Sequence, residues 1–502
     1  MPDIPLIARA ARHGERVAIL SDGKSFTYAT LLADSARVAS ALLDGADDLN
    51  EARVAFLFPS GYDYVRTQWG VWRAGGIAVP LCTTHPRPEL EYVLADSRAS
   101  AVVTHQDFAD LLLPIAKEMG IRIVTAEAID GADSDRSLPD AGGTRRAMIL
   151  YTSGTTGKPK GVVTTHANIS AQIETLVDAW GWREDDRILQ VLPLHHVHGI
   201  INVTCCALWS GAVCDMTPRF DADMVWCRFV ETDLTLFMAV PTVYAKLAAA
   251  WEAVDTGTQQ IWTEALKKFR LMVSGSAALP ISMLEKWEGI SGHRLLERYG
   301  MTEIGMALSN PLNGERVAGH VGAPLPGVEV RLMDEEGHTA SEGVQGEIQI
   351  KGPSVFSEYW ERPEATEESF VDGWFKSGDI AIAKDGIYRI LGRNSVDIIK
   401  TGGFKVSALE IEEVLRTHEA IAECAVVGMP DEEWGEIVSA ALVLKGAAAL
   451  ESSDLRSWCK ERLAPYKSPT KFLYLDALPR NAMGKVTKRN VSALFASKEE
   501  AG

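Results

Sequence analysis

The apolar pattern of the first third of the chain alternates between strand-like runs and helical spacing. "RVAFLF" (53–58) is a nearly unbroken apolar run of the kind a strand buried on both faces needs, and Ser60 is positioned to cap the helix after it. That helix is expected to stop near Gly75 and Gly76, where "IAVPL" begins another strand. "ELEYVLADS", "AVVTH", "FADLLLPIAKEMG" and "IRIVT" continue the rhythm. Such alternation predicts an α/β fold, with parallel or mixed sheets covered by helices. Residues 130–146 are polar and glycine-rich, a linker leading into "AMILYTSGTTGKPKG" (147–161). The texture changes after residue 390. "SALEIEEVLRTHE" (407–419) offers a capping box, Ser407 with Glu410, and opens an amphipathic helix. "CAVVGM", "AALVLK", "SDLRSWCKERLA" and "KFLYLD" complete a compact β/α module of roughly one hundred residues, an ordinary domain size.

Composition narrows the classes. A chain of 502 residues exceeds one hydrophobic core, so at least two domains are expected. The formal charge of −18, from 68 acids against 50 bases, argues against nucleic acid or an anionic membrane as the main partner. The seven cysteines show no metal-ligand spacing and suit a reduced compartment. "GIINVTCCALWSGAVCDM" (199–216) is interrupted by Asn202, Thr204, Ser210 and Gly211, so it reads as core and not as a membrane span. No signal-peptide core is visible near the start, and a cytoplasmic enzyme, monomer or weak homodimer, is the expectation.

"YTSGTTGKPKG" (151–161) carries the first chemistry. Glycines let backbone N–H groups approach phosphate oxygens, and hydroxyls and lysines add donors. A Walker loop needs Lys-Ser or Lys-Thr directly after its second glycine, and that spacing is absent. Pro159 would also break the helix such a loop must start. What remains is a phosphate grip or a basic surface turn.

The string has company. "YTSGTTGKPKG", "ERYGMTE" (297–303), "FKSGD" (375–379), "LGR" (391–393) and "PRNAMGK" (479–485) occur in this order and resemble the motifs of the adenylate-forming superfamily of acyl-CoA synthetases, luciferases and peptide-synthetase adenylation domains. The resemblance covers essentially the whole chain. It implies a large N-terminal AMP-binding domain (1–393), a small mobile α+β C-terminal domain (394–502), and an active site between them. It also implies ATP and CoA as co-substrates, Mg²⁺ as cofactor, and an acyl-adenylate formed with release of pyrophosphate before transfer to a thiol.

By the same resemblance, Thr152, Ser153, Gly154, Thr155, Thr156, Gly157 and Lys160 grip the phosphates. Thr302 bonds the α-phosphate, Glu303 and Thr155 serve the Mg²⁺ ion, and Tyr299 stacks on adenine. Asp379 and Arg393 take the ribose, and Lys485 bridges carboxylate and α-phosphate during adenylation. Asp379 read alone could only cap a turn, and Lys485 could be one of several solvated lysines in "GKVTKR". After adenylation the small domain is expected to rotate, so that Gly402, Gly403 and Phe404 shape the CoA tunnel. "NSVDIIKTG" between Arg393 and Gly403 is one residue longer than in many members, so the hinge is only bracketed, between Ser395 and Asp397.

The acid is read from other strings. A second carboxylate must be compensated, and arginine's planar fork is the usual partner. Arg298 precedes "YGMTE", and Arg298, Ser276 and Lys246 resemble positions with which malonyl-CoA synthetases bind the distal carboxylate. The competing reading pairs Arg298 with Glu297 or Glu303. "LPLHHVHG", "RLMVSGSAALP" and "GPSVFSEYW" extend the similarity to the malonyl/methylmalonyl-CoA synthetase branch. His196 aligns with that family's pocket histidine, and His198 offers a polar, potentially cationic side chain to a small anionic acid or packs in the core. The alternatives are a CoA ligase for another small acid, a kinase-like ATPase that would release ADP, and a non-catalytic nucleotide-binding protein.

Overall fold

A computed structural model describes residues 4–152, 158–431, 433–446, 450–480 and 485–499. Among the described residues a nine-stranded sheet begins the large domain. Its strands Val17–Ser21, Val213–Met216, Arg187–Gln190, Leu236–Ala239, Leu271–Ser274 and Leu296–Met301 run parallel, and the strands beyond them at both edges are antiparallel. A seven-stranded sheet is parallel around Arg53–Leu57, Ile77–Pro80 and Ala101–Thr104, with antiparallel strands at one edge only. The helices Tyr28–Leu43, Tyr62–Arg73 and His166–Ala179 fill the space between these sheets, with Trp69, Trp72 and Trp180 fully buried in one continuous core. Other helices cover the outer faces, so the apolar runs read as doubly buried strands do line such strands. A third sheet, antiparallel, ends with Trp374–Lys384 and Ile387–Arg393.

After the turn at 394–397 the strands of a separate sheet follow, in the smaller C-terminal domain. There the strands Ile398–Thr401, Phe404–Ser407, Ile421–Asp431 and Gly435–Leu444 are antiparallel, and Lys471–Tyr474 adds in parallel. Helices Ala408–Arg416 and Ser452–Lys460 pack on one face through Ile411, Leu415 and Leu455, and Lys488–Glu499 on the other through Val491 and Phe495.

Two local expectations change. The helix Tyr62–Arg73 is capped by Gly61 without a side-chain bond, and Ser60 Oγ is buried with no partner among the described residues. Half of the expected capping box forms: Ser407 Oγ accepts the Glu410 N–H at 3.2 Å, but the Glu410 carboxylate takes Lys467 at 2.8 Å instead. A complete box stands at Thr165 and Asn168. The apolar stretch 199–216 is buried, and no helix among the described residues is long and apolar enough to cross a membrane.

Candidate active site

Sheet register builds the acyl side of the site. Ser274 pairs with Glu297 between the parallel strands Leu271–Ser274 and Leu296–Met301, which sets Gly275 and Ser276 beside Arg298. A Cβ on Gly275 would meet the Arg298 guanidinium carbon at 2.6 Å, so only glycine lets the arginine lie there. Ser276 is held at φ +69°, a strained conformation for a serine. Its Oγ accepts from Arg298 Nη2 at 3.3 Å and lies 3.2 Å from His198 Nδ1.

Arg298 is 3% exposed and makes no ion pair among the described residues. Glu297 points to the opposite face of its strand, where it accepts the Leu279 N–H, and Glu303 accepts the Tyr359 hydroxyl. Neither carboxylate neutralises Arg298. Burial pushes the Arg298 pKa down and the charge of Glu297 opposes this only in part; the guanidinium keeps its proton. Arg298 Nε and His198 Nε2 are buried without partners.

The two histidines are neutral. Burial, then Lys485, lowers His196 to about 4. Burial, then Arg298 and Lys485, holds His198 far below the ordinary range, so of its open readings the cationic one is disfavoured. Lys246 does not join this group. It lies exposed on the helix Pro241–Ala253, with Nζ 5.7 Å from the Phe220 ring centroid and no bond to Arg298, Ser276 or His198 among the described residues.

The nucleotide-side residues come from three elements. The strands Leu296–Met301 and Gly305–Ser309 form a hairpin whose turn carries Thr302 and Glu303. Gly300 is required there, because a Cβ would meet the Gly305 carbonyl oxygen at 2.1 Å. Asp379 and Arg393 are cross-strand partners in the third sheet. Arg393 Nε donates to Asp379 Oδ1 at 3.1 Å, and the Tyr299 hydroxyl donates to Asp379 Oδ2 at 2.6 Å. Asp379 is therefore an organising carboxylate and more than a turn cap.

Glu303 is 6% exposed, and burial raises its pKa although the Tyr359 hydroxyl bond at 3.1 Å opposes this. The Tyr359 ring also carries the Lys160 ammonium 4.8 Å from its centroid, so one tyrosine touches both the end of the glycine-rich loop and the hairpin turn. Sequence reasoning quoted Tyr359 within "GPSVFSEYW" without giving it a role. Thr152 pairs with Lys160 across the loop. Ser153, Gly154, Thr155, Thr156 and Gly157 lie outside the described residues. Among the described residues no group of three or more His, Cys, Asp or Glu side chains could hold a metal by itself. One carboxylate, Glu303, fits Mg²⁺ only as an ion that takes most of its ligands from substrate phosphates and water.

Lys485 joins the two sides. The residue keeps part of its surface in water, but its ammonium is desolvated in the cleft, and this, then Arg298 and Arg393, lowers its pKa while Asp379 opposes them. Gly402, Gly403 and Phe404 sit on another part of the small domain. The two glycines turn with positive φ, and Phe404, half exposed, stacks on Tyr466 at 4.2 Å.

The pattern of the family described as AMP-binding enzyme matches residues 6–360, and that of the AMP-binding enzyme C-terminal domain matches 410–485. The chain belongs to the AMP-binding enzymes. This AMP-binding enzyme is 45% identical to the mitochondrial malonate–CoA ligase ACSF3 of Bos taurus, over 97% of this chain and 89% of that protein. It is 40% identical to the malonate–CoA ligase of Arabidopsis thaliana, over 98% and 88%. Among solved structures, ATP-bound MatB from Rhodopseudomonas palustris superposes with a TM-score of 0.91 at 34% identity, over 98% of this chain and 99% of that one. The apo form of the same protein, with the same identity and coverage, gives 0.81. The overall arrangement here is closer to the ATP-bound form.

Proposed function

We propose that this AMP-binding enzyme joins malonate, and methylmalonate in the same pocket, to coenzyme A. The acid and ATP form an acyl-adenylate and pyrophosphate; the CoA thiol then displaces AMP. The observation that carries the malonate reading is the buried Arg298 guanidinium, without a carboxylate partner, beside Ser276 and His198. A second carboxylate would complete that charge, and a monocarboxylate would leave it bare. The names of the Bos taurus and Arabidopsis thaliana relatives support the same acid.

In this reading Arg298 binds the distal carboxylate, with Ser276 and neutral His198 offering hydrogen bonds, and His196 lines the pocket. The reacting carboxylate lies towards Lys485, whose ammonium draws it and the α-phosphate together and stabilises the charge that grows between them. Thr302 bonds the α-phosphate. Tyr299, fixed through Asp379, presents its ring to adenine, and Asp379 with Arg393 receives the ribose hydroxyls. Thr152, the loop 153–157 and Lys160 hold the departing phosphates. Glu303 would hold Mg²⁺ together with phosphate oxygens, with Thr155 as a further ligand, and the ion would supply charge neutralisation on the phosphates when bound. For the second step, units 1–393 and 394–502 move about the turn bracketed by Ser395 and Asp397, so that Lys485 leaves and Gly402, Gly403 and Phe404 line the path of the pantetheine. The cytoplasm and a monomer or weak homodimer complete the proposal.

The test is one assay with ATP, Mg²⁺ and CoA, offering malonate, methylmalonate, succinate, acetate and octanoate. The expected result is AMP and pyrophosphate with malonate and methylmalonate foremost. ADP as product, or preference for acetate or octanoate, would overturn it.

A further inference from the structure

Two lysines three residues apart are pushed in opposite directions. Lys485 is lowered in the cleft, whereas Lys488 is raised, because Glu412 and Asp397 outweigh the burial that opposes its charge. Lys488 opens the helix Lys488–Glu499 with its side chain only 11% exposed. Its Nζ lies 2.6 Å from Asp397 Oδ1 and 2.8 Å from Glu412 Oε1.

The two carboxylates are anchored differently. Glu412, on the helix Ala408–Arg416, also accepts the Val426 N–H at 2.9 Å and Arg416 at 3.0 Å, so it is fixed within the small domain. Asp397 stands at the end of the turn between the domains. Its Oδ2 accepts the Arg393 N–H at 3.0 Å, its own N–H donates to the Arg393 carbonyl at 2.7 Å, and its carbonyl accepts the Ala408 N–H at 2.7 Å. A Cβ on Gly392 would meet Asp397 Cβ at 2.3 Å, so the turn lies directly on the last strand of the large domain. The network continues outward: Arg416 holds Glu413 at 2.7 Å, and Glu413 accepts the Ile281 N–H of the large domain at 3.2 Å.

We propose that Lys488 is the positioning residue for Lys485, tying the start of the C-terminal helix to the inter-domain turn through Asp397, with Glu412 as its fixed support. The proposal rests on the reading of Lys485 as the adenylation lysine. Three residues span at most about 10 Å, so the place of Lys488 narrowly limits the place of Lys485. Val486 and Thr487 between them are held by backbone pairing to Arg480 and Pro479, which shortens the tether further. A change at Asp397 is thereby transmitted to the lysine that adenylation needs and that CoA transfer does not.

The test uses the full chain and two half-reactions: malonate-dependent exchange of pyrophosphate into ATP, and thioester formation from malonyl-adenylate and CoA. Lys488→Met should slow exchange about a hundredfold, the scale of a small misplacement of a catalytic group, and Lys488→Arg should restore most of it. Thioester formation should stay within about threefold of the parent, and ATP affinity should hold. Asp397→Asn, which leaves the Lys488–Glu412 pair and an acceptor for the Arg393 amide, should slow exchange too. It carries the test if Lys488→Met does not fold. The double variant should be no slower than the worse single variant, because both break one connection. Undiminished exchange, equal loss of both half-reactions, or additive effects would overturn the proposal. Lys485→Ala is the reference: if it retains exchange, the reading of Lys485 falls and the link with it.

Discussion

Arg393 and Arg298 flank the same lysine and are built in opposite ways. Arg393 has its carboxylate, Asp379, at 3.1 Å, and that partner outweighs burial to raise its pKa. Arg298 has only a serine hydroxyl, and burial lowers it. An unpaired buried charge costs about 3–5 kcal/mol, so a fold keeps one where a ligand will complete it. The paired arginine belongs to a preformed surface that treats all acids alike. In the proposed reading, the unpaired one takes the second carboxylate of the acid and so selects.

The comparison can be pressed at both ends. Lys485→Ala should lose about a thousandfold in adenylation with every acid, the scale of removing a donor from a charge-stabilising site, measured as pyrophosphate exchange. Asp379→Asn leaves Arg393 without its charge partner and should raise the KM for ATP about tenfold, again whatever the acid. Ser276→Ala removes the hydroxyl between Arg298 and His198; the KM for malonate should rise about threefold to tenfold and that for acetate should not move. The smallest effect is on stability. Glu297, on the face of the strand away from Arg298, has its pKa raised by burial from 4.5 to about 8. Between those values the folded state holds a proton the unfolded chain gives up, so stability falls as pH rises through that window. The melting temperature of Glu297→Gln should match the parent near pH 4.5 and exceed it by a growing margin up to about pH 8.

Local features were legible in the sequence. The alternating apolar runs specify strands and helices because burial has their period, whereas the hairpin of Leu296–Met301 and Gly305–Ser309 was not read from the sequence, where "ERYGMTE" stood only as a motif. What was not legible depends on partners distant in the chain. Tyr359 reaches Glu303 across 56 positions and Lys160 across the sheet, and nothing in "SEYW" announces either contact. Nothing in "GKVTKR" marks Lys488, because its burial between Asp397 and Glu412 is a property of three separate elements. Lys246 shows the converse. Its string is suggestive, but the helix phase turns the side chain onto Phe220 at the surface. The sequence left His198 open between a potentially cationic pocket residue and core packing; burial first, and then Arg298, holds it neutral, and its local sequence announces neither.

The most direct measurement is kcat/KM for malonate and for acetate in the parent and in Arg298→Ala. The account predicts that the malonate-to-acetate ratio collapses by about a hundredfold or more, with ATP affinity held, as expected for the loss of a buried charge partner. Equal loss with both acids would contradict it, because Arg298 would then serve the fold or the common chemistry and not the second carboxylate.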